Sequence, residues 1–325
     1  PEHFIAEYDM LIPPRASEIE KEVEGVGDKP AVWVTTPVYG GVGLPEEDLE
    51  RLKEAGLVVV DNAWGLGSPD FSFDVLARSS HKVDGGPQPL SILALRNRQL
   101  IKYADLCYRL NETTSPPFWM LSEAAWVYRE LHARLRVAEV LRGWAQILID
   151  KAKEAGLRVM ESPPPGYTYD VVQINVNVGK KNGYEVAEKL YHKHIVAEKA
   201  GPRSVELLFT INALREIAER GVSVLDEIVD ALAKAVDEAG DRGVDPRPVY
   251  NYRVEPVKFS AVEYVDLEDA VGKLAAAPIV PYPPGIPVVI QGAEVTKEVV
   301  DYVKQILALG GHVTGVREGR VLVYA

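Results

Sequence analysis

The chain has 325 residues, 47% hydrophobic and 26% charged, enough to bury a sizeable core in two domains or in one large and one small domain. A formal net charge of −12 argues against a nucleic-acid-binding surface, and no apolar run of about 20 residues is present to span a membrane. The single cysteine, Cys107, permits no intrachain disulfide and fits a reducing, cytoplasmic setting. No signal peptide opens the chain, and residue 1 is proline rather than methionine, so a processed or trimmed chain is expected.

In chain order, Ala31–Thr36 (AVWVTT) predicts a buried strand. Pro45–Gly56 predicts a helix with proline in its first turn and glycine past its end. Leu57–Ala63 (LVVVDNA) is a second apolar strand and Ser91–Leu95 a third. Short apolar strands separated by helices predict a mostly parallel, helix-covered sheet. From Pro117 to Lys153 the pattern is helical and leads away from the sheet. VVQINVNV, from Val171, alternates, Gly183–His192 and Val222–Ala239 predict helices, and Val205–Thr210 predicts a strand. Together they describe a small α+β domain with one sheet face exposed. Residues 240–260 resemble a linker. A third section follows: helix Leu267–Ala276, the rigid PYPPGIP at 281–287, strand Ile286–Ile290, helix Thr296–Leu309 and a terminal hairpin. The implied divisions are 1–153, 154–245 and 246–325.

Asp61 ends LVVVDNA at the carboxyl side of its strand, where open parallel sheets bind ligands. It fits either a loop cap or a carboxylate held under a heteroaromatic nitrogen, such as the pyridine nitrogen of pyridoxal phosphate, whose protonation a semi-buried carboxylate favours. Ala63 then offers a small contact to the ring face and Trp64 a flat wall with an N–H donor. Some twenty residues later comes Ser79-Ser80-His81-Lys82. Its hydroxyls and imidazole suit a phosphate, and a desolvated lysine beside them suits a Schiff base; a solvated loop lysine is the plain alternative. Gly40-Gly41-Val42-Gly43 resembles a phosphate loop, but Glu46, Glu47 and Asp48 occupy the first turn of the next helix and would repel a phosphate. An ordinary turn that leaves Tyr39 near the cleft is expected instead. His192 and His194 lack a carboxylate or cysteine at ligand spacing, so no metal site is expected.

VTTPVYGG (34–41), VVVDNAWG (58–65), SSHK (79–82), TTSP (113–116) and IVPYPPGIP (279–287) stand in an order and spacing that resemble the prokaryotic ornithine/lysine/arginine decarboxylases. These are pyridoxal phosphate enzymes of the aspartate-aminotransferase-like fold. The resemblance implies an α/β cofactor domain, here partial, followed by smaller α+β domains. It implies Lys82 as the cofactor lysine, Asp61 as partner of the ring nitrogen, and Ala63 against the ring. Ser79 and His81 would bind the phosphate with Trp64 nearby, while Thr114 and Ser115 would reach a phosphate in a neighbouring subunit of a homodimer or larger oligomer. The implied reaction is decarboxylation of a basic amino acid, arginine slightly favoured over lysine or ornithine. Another lyase or a transaminase of the same fold, or an inactive subunit, are the alternatives.

Two departures from the family pattern matter. Family members carry a half-domain before the point where this chain begins, containing a phosphate loop and a ring-stacking histidine that residues 1–60 lack; His3 lies too near the terminus to substitute. A second polypeptide supplying that half, encoded separately or cut from the same precursor, is therefore expected, because an open sheet without its first strands exposes an edge; a partial chain is the plain alternative. After PYPPGIP the family reads Pro-Gly-Glu, the glutamate facing the substrate's distal cation. This chain reads Gln291-Gly292-Ala293, with Glu294 one position late as the candidate substrate residue beside Tyr39.

Overall fold

The computed structural model describes residues 3–26, 30–66, 71–113, 115–129, 131–256 and 261–325, leaving aside the side chains of residues 83 and 131–135. The chain opens with a short antiparallel pair, β1 (Phe4–Ile5) and β2 (Met10–Leu11), and then α1 (Ala16–Val23). A four-stranded sheet follows, built from β3 (Ala31–Thr35), β5 (Leu57–Asp61), β6 (Val75–Ser79) and β7 (Ser91–Leu95) in that order. The first two pairings are parallel and β6–β7 is antiparallel. Between β3 and β5 lie β4 (Val42–Gly43) and α2 (Glu46–Ala55). β-Branched residues suit the pleated, covered strands: Val32, Val34, Val58 and Val60, with Leu76, pack in one core with Leu49 and Leu52 of α2. Each such buried side chain contributes about 1.5–3 kcal/mol. Asp48 does more than complement the helix dipole. Buried, it accepts hydrogen bonds from the Arg15 guanidinium and the Ala16 N–H, and Arg15 holds its carboxyl below the usual range.

A one-turn helix, α3 (Ser80–Val83), connects β6 to β7. A helix the sequence reading did not anticipate, α4 (Ile101–Asn111), comes next, and the expected helical stretch from Pro117 is α5 (Phe118–Arg129) and α6 (Leu131–Glu154). Ala138, Leu141, Ala145, Leu148, Ile149 and Ala152 of α6 belong to the core of the next domain.

That domain contains β8 (Arg158–Val159), β10 (Gln173–Asn177), α7 (Gly183–Tyr191), β11 (Lys199–Ala200), β12 (Ser204–Leu208), α8 (Ile211–Arg220) and α9 (Ser223–Glu238). Its sheet runs β11-β12-β10-β8, all antiparallel, while β9 (Thr168–Tyr169) pairs with β4. Here the expectation of one exposed sheet face fails. Ile174, Val176, Val205 and Leu207 face the helices as the alternation predicts. The opposite face, with Gln173, Asn175, Ser204 and Glu206, is also buried. It is covered by the N-terminal segment and the turn after β3: Ser204 Oγ donates to the Tyr8 carbonyl, and Gly40 N–H to Gln173 Oε1.

The last section holds β13 (Val262–Asp266), β14 (Val280–Tyr282), α10 (Lys297–Ala308), β15 (His312–Thr314), β16 (Val316–Arg317) and β17 (Arg320–Tyr324). Two expectations are corrected here. The helix over 267–276 is only a 3-10 turn at Leu267–Ala270, because Gly272 takes φ 82° and Leu274 and Ala275 then bridge to Glu294 and Val323. The strand over 286–290 does not form; Val289 instead makes isolated bridges to Asn251 and Ile279. Among the described residues no helix is long and apolar enough to cross a membrane.

Candidate active site

The parallel strands deliver two of the expected residues to one end of the sheet. Asp61 is the last residue of β5, and its Oδ1 accepts the Ala63 N–H at 3.0 Å. Among the described residues its other oxygen has no hydrogen-bond partner. Asn62 fixes the strand ends, its side chain donating to the Thr36 carbonyl at 2.7 Å and its backbone to Ala77. Lys82 projects from α3, directly after β6, and its Nζ lies 3.9 Å from the Trp64 ring centroid. Burial pushes the Lys82 amine below the ordinary lysine value; the carboxylates of Asp61 and Glu198 oppose that shift, so both lie close enough for their charge to be felt. The turn bearing Lys82 is clamped by a buried Arg78–Asp84 ion pair and by the Asp84 N–H donating to Ser80.

His81 Nδ1 lies 3.1 Å from the Leu90 carbonyl, which makes that nitrogen the donor and leaves Nε2 free to meet a ligand. Ser79 ends β6 and its side chain makes no capping bond. The neighbouring Ser80 hydroxyl is buried without a hydrogen-bond partner among the described residues. Ser115 is exposed in the connection between α4 and α5, its N–H held by Thr113 Oγ1, and does not line the cleft of its own chain. Thr114 lies outside the described residues.

Tyr39 stacks edge-on against Trp64, with ring centroids 4.5 Å apart. It is placed by the Gly40-Gly41 turn, where both φ angles are positive and a Cβ on Gly40 would sit 2.2 Å from Met10 Cε. The turn is locked to β10, since Asn175 Nδ2 donates to the Gly40 carbonyl at 2.8 Å. Two cavities meet at Tyr39, Trp64 and Pro284. The smaller, about 420 Å³, holds His81, Lys82, Glu198, Leu208, Thr210 and Tyr282; the larger, about 580 Å³, runs past Asp61 along β3. PYPPGIP thus lends Tyr282 and Pro284 to the site.

Glu294 is not brought there. It is exposed, its carbonyl accepting from Asn251, and it lines neither cavity; Ala293 beside it is fully buried. A carboxylate that sequence reasoning missed, Glu198 just before β11, lines the smaller cavity together with Lys82. No local motif marks it; only the pairing of β11 with β12 carries it to the cleft.

Residues 238–318 match the family described as Orn/Lys/Arg decarboxylase, C-terminal domain. The chain is 25% identical over 328 residues to the Bacillus subtilis protein YaaO, covering 94% of this chain and 68% of that one. It is 24% identical over 313 residues to the arginine decarboxylase of the same organism, covering 89% and 64%. The constitutive lysine decarboxylase of E. coli superposes with TM-score 0.69 at 17% identity, covering 98% of this chain and 62% of that one. A serine palmitoyltransferase of S. paucimobilis, solved with a bound PLP–myriocin aldimine, superposes at 0.51 with 16% identity over 68% and 60%. The chain therefore spans about two thirds, or slightly less, of the proteins it matches over most of its length.

Proposed function

We propose that the chain, whose residues 238–318 match the Orn/Lys/Arg decarboxylase C-terminal domain, is a member of that family and a pyridoxal phosphate-dependent decarboxylase of a basic amino acid, arginine favoured over lysine and ornithine. Its fold is the α/β architecture of the fold-type I pyridoxal phosphate enzymes. One observation carries the reading: a carboxylate at a strand end and a desolvated lysine, each within the other's electrostatic reach, flank an aromatic wall.

The donor set suits the cofactor. Asp61 has an unengaged oxygen to hold a proton on a ring nitrogen, and Ala63 would be the small contact to a ring face. Ser79, Trp64 and His81 Nε2 are the phosphate contacts within the chain, with Thr114 and Ser115 offered to a second copy. When bound, pyridoxal phosphate supplies an electron sink for the bond between Cα and the carboxylate. The chain's own groups do the rest. Burial lowers the Lys82 amine's affinity for a proton and so favours its nucleophilic form, Asp61 would hold positive charge on the ring, and Trp64 and Tyr39 would shield the reacting atoms from water. The product is the corresponding amine, agmatine in the case of arginine, a step suited to polyamine synthesis or acid homeostasis.

A homodimer or larger assembly is supported by the apolar surface of α4 and α5, where Leu110 and Phe118 are 74% and 85% exposed beside the TTSP segment. A second polypeptide completing the sheet is supported by β3, which among the described residues has a neighbour on one side only and leaves Trp33 69% exposed. One observation favours an inactive subunit instead: the family's glutamate position is the fully buried Ala293.

Carbon dioxide release from carboxyl-labelled arginine, lysine and ornithine tests the activity. An absorbance band of bound cofactor, lost in Lys82→Ala, tests the site. Turnover of at least one substrate with that band present is expected; a band that persists in Lys82→Ala overturns the assignment.

A further inference from the structure

The smaller cavity has an amine at one wall and a carboxylate at another. Glu198 is fixed at both ends: its N–H donates to the Glu206 carbonyl at 2.8 Å, and the Tyr39 hydroxyl lies 3.0 Å from both its carbonyl and its carboxylate oxygen. Among the described residues no cation lies within ion-pair distance of it. The adjacent Lys199 turns away, bonding the Tyr8 carbonyl at 3.0 Å and facing Glu206 at 3.7 Å. Lys82 is the cationic group whose field Glu198 feels, and burial disfavours that charge. A half-buried carboxylate with one hydroxyl partner carries a desolvation cost that a bound cation would offset.

The intervening walls suit a methylene chain. Trp64, Tyr39, Leu208, Tyr282 and Pro284 line the space, and Thr210, at the start of α8, makes no capping bond and keeps its hydroxyl available. We propose that Glu198, rather than Glu294, receives the distal guanidinium or ammonium group of the substrate and so sets the preference for basic amino acids. This assignment rests on the reading of the cleft as the amino-acid site. It makes Glu198 a specificity residue and Tyr39 the group that positions it. The side chain comes from the second domain and the lysine from the first, so the packing of these domains sets the length of substrate that fits.

Calorimetric titration of the full chain with propylguanidinium, and with the neutral propylurea of the same shape, tests this without turnover. The wild type is expected to bind the cation roughly tenfold or more tightly than the urea. Glu198→Gln removes that preference, Glu198→Asp retains part of it, and Glu294→Gln leaves it intact. Circular dichroism and thermal melting establish that each variant is folded; if Glu198→Gln fails to fold, Glu198→Asp binding the cation as tightly as wild type overturns the proposal. A wild type that does not discriminate, or a folded Glu198→Gln that still does, overturns it as well. A chain that discriminates through Glu198 yet releases no carbon dioxide refutes the proposed reaction and leaves this assignment standing.

Discussion

Replacing Glu206 by glutamine removes a carboxyl group that the fold holds in an unfavourable place. Glu206 is fully buried on β12, paired across the sheet with Asn175, and neither of its oxygens has a hydrogen-bond partner among the described residues. Burial pushes its pKa from 4.5 up to about 7; Lys199 opposes the shift and Glu198 adds to it, and the phenols of Tyr39 and Tyr169 also feel its charge. The folded chain therefore binds this proton more tightly than the unfolded chain does. The resulting stabilisation is complete below pH 4.5 and is lost as pH rises to about 7. At about 1.4 kcal/mol per pH unit the full displacement corresponds to at most about 3 kcal/mol. Urea denaturation at pH 5 and pH 8 should show the wild type losing up to that much more stability than Glu206→Gln over the interval. Parallel pH dependence in the two proteins, or a wild type that gains relative stability at pH 8, would refute the reasoning.

Two further perturbations address the site. Asp61→Asn should retain the cofactor's absorbance while lowering turnover by roughly 10²-fold or more, since an amide cannot hold charge on the ring nitrogen; near wild-type turnover would remove Asp61 from its role. Gly40→Ala should destabilise the chain by about 2 kcal/mol or more, because φ is 102° and the new methyl would meet Met10, which must then move. Thermal melting measures it, and an unchanged midpoint would show that the turn tolerates a side chain.

Much of the architecture is legible in local pattern. Apolar runs marked AVWVT and LVVVD as strands, although the first is buried only at alternate residues, with Ala31 and Trp33 exposed, and the glutamates and aspartate after Pro45 marked a helix start. Because parallel strands share a direction, the residues at their carboxyl ends converge, so Asp61 and the Lys82 turn could be placed together from order alone. Local pattern failed where distant contacts decide. LEDAVGKLAA has helical spacing, yet Gly272 turns the chain and bridges to Glu294 and Val323 take over the backbone bonds. The helix α8 was not anticipated at all.

The alternation in VVQINVNV fixed which side chains share a face, since period two is a property of any extended chain. It could not say what covers the polar face. That was settled when the Gly40 turn and the N-terminal segment folded over the face bearing Gln173, Asn175, Ser204 and Glu206, burying a carboxyl group. The same docking brought Glu198 to Lys82, while Glu294, adjacent to a familiar motif, stayed in solvent. Identity and order of side chains thus determined the Asp61 and Lys82 end of the cleft. The opposite wall exists only because two domains, remote in sequence, pack against each other.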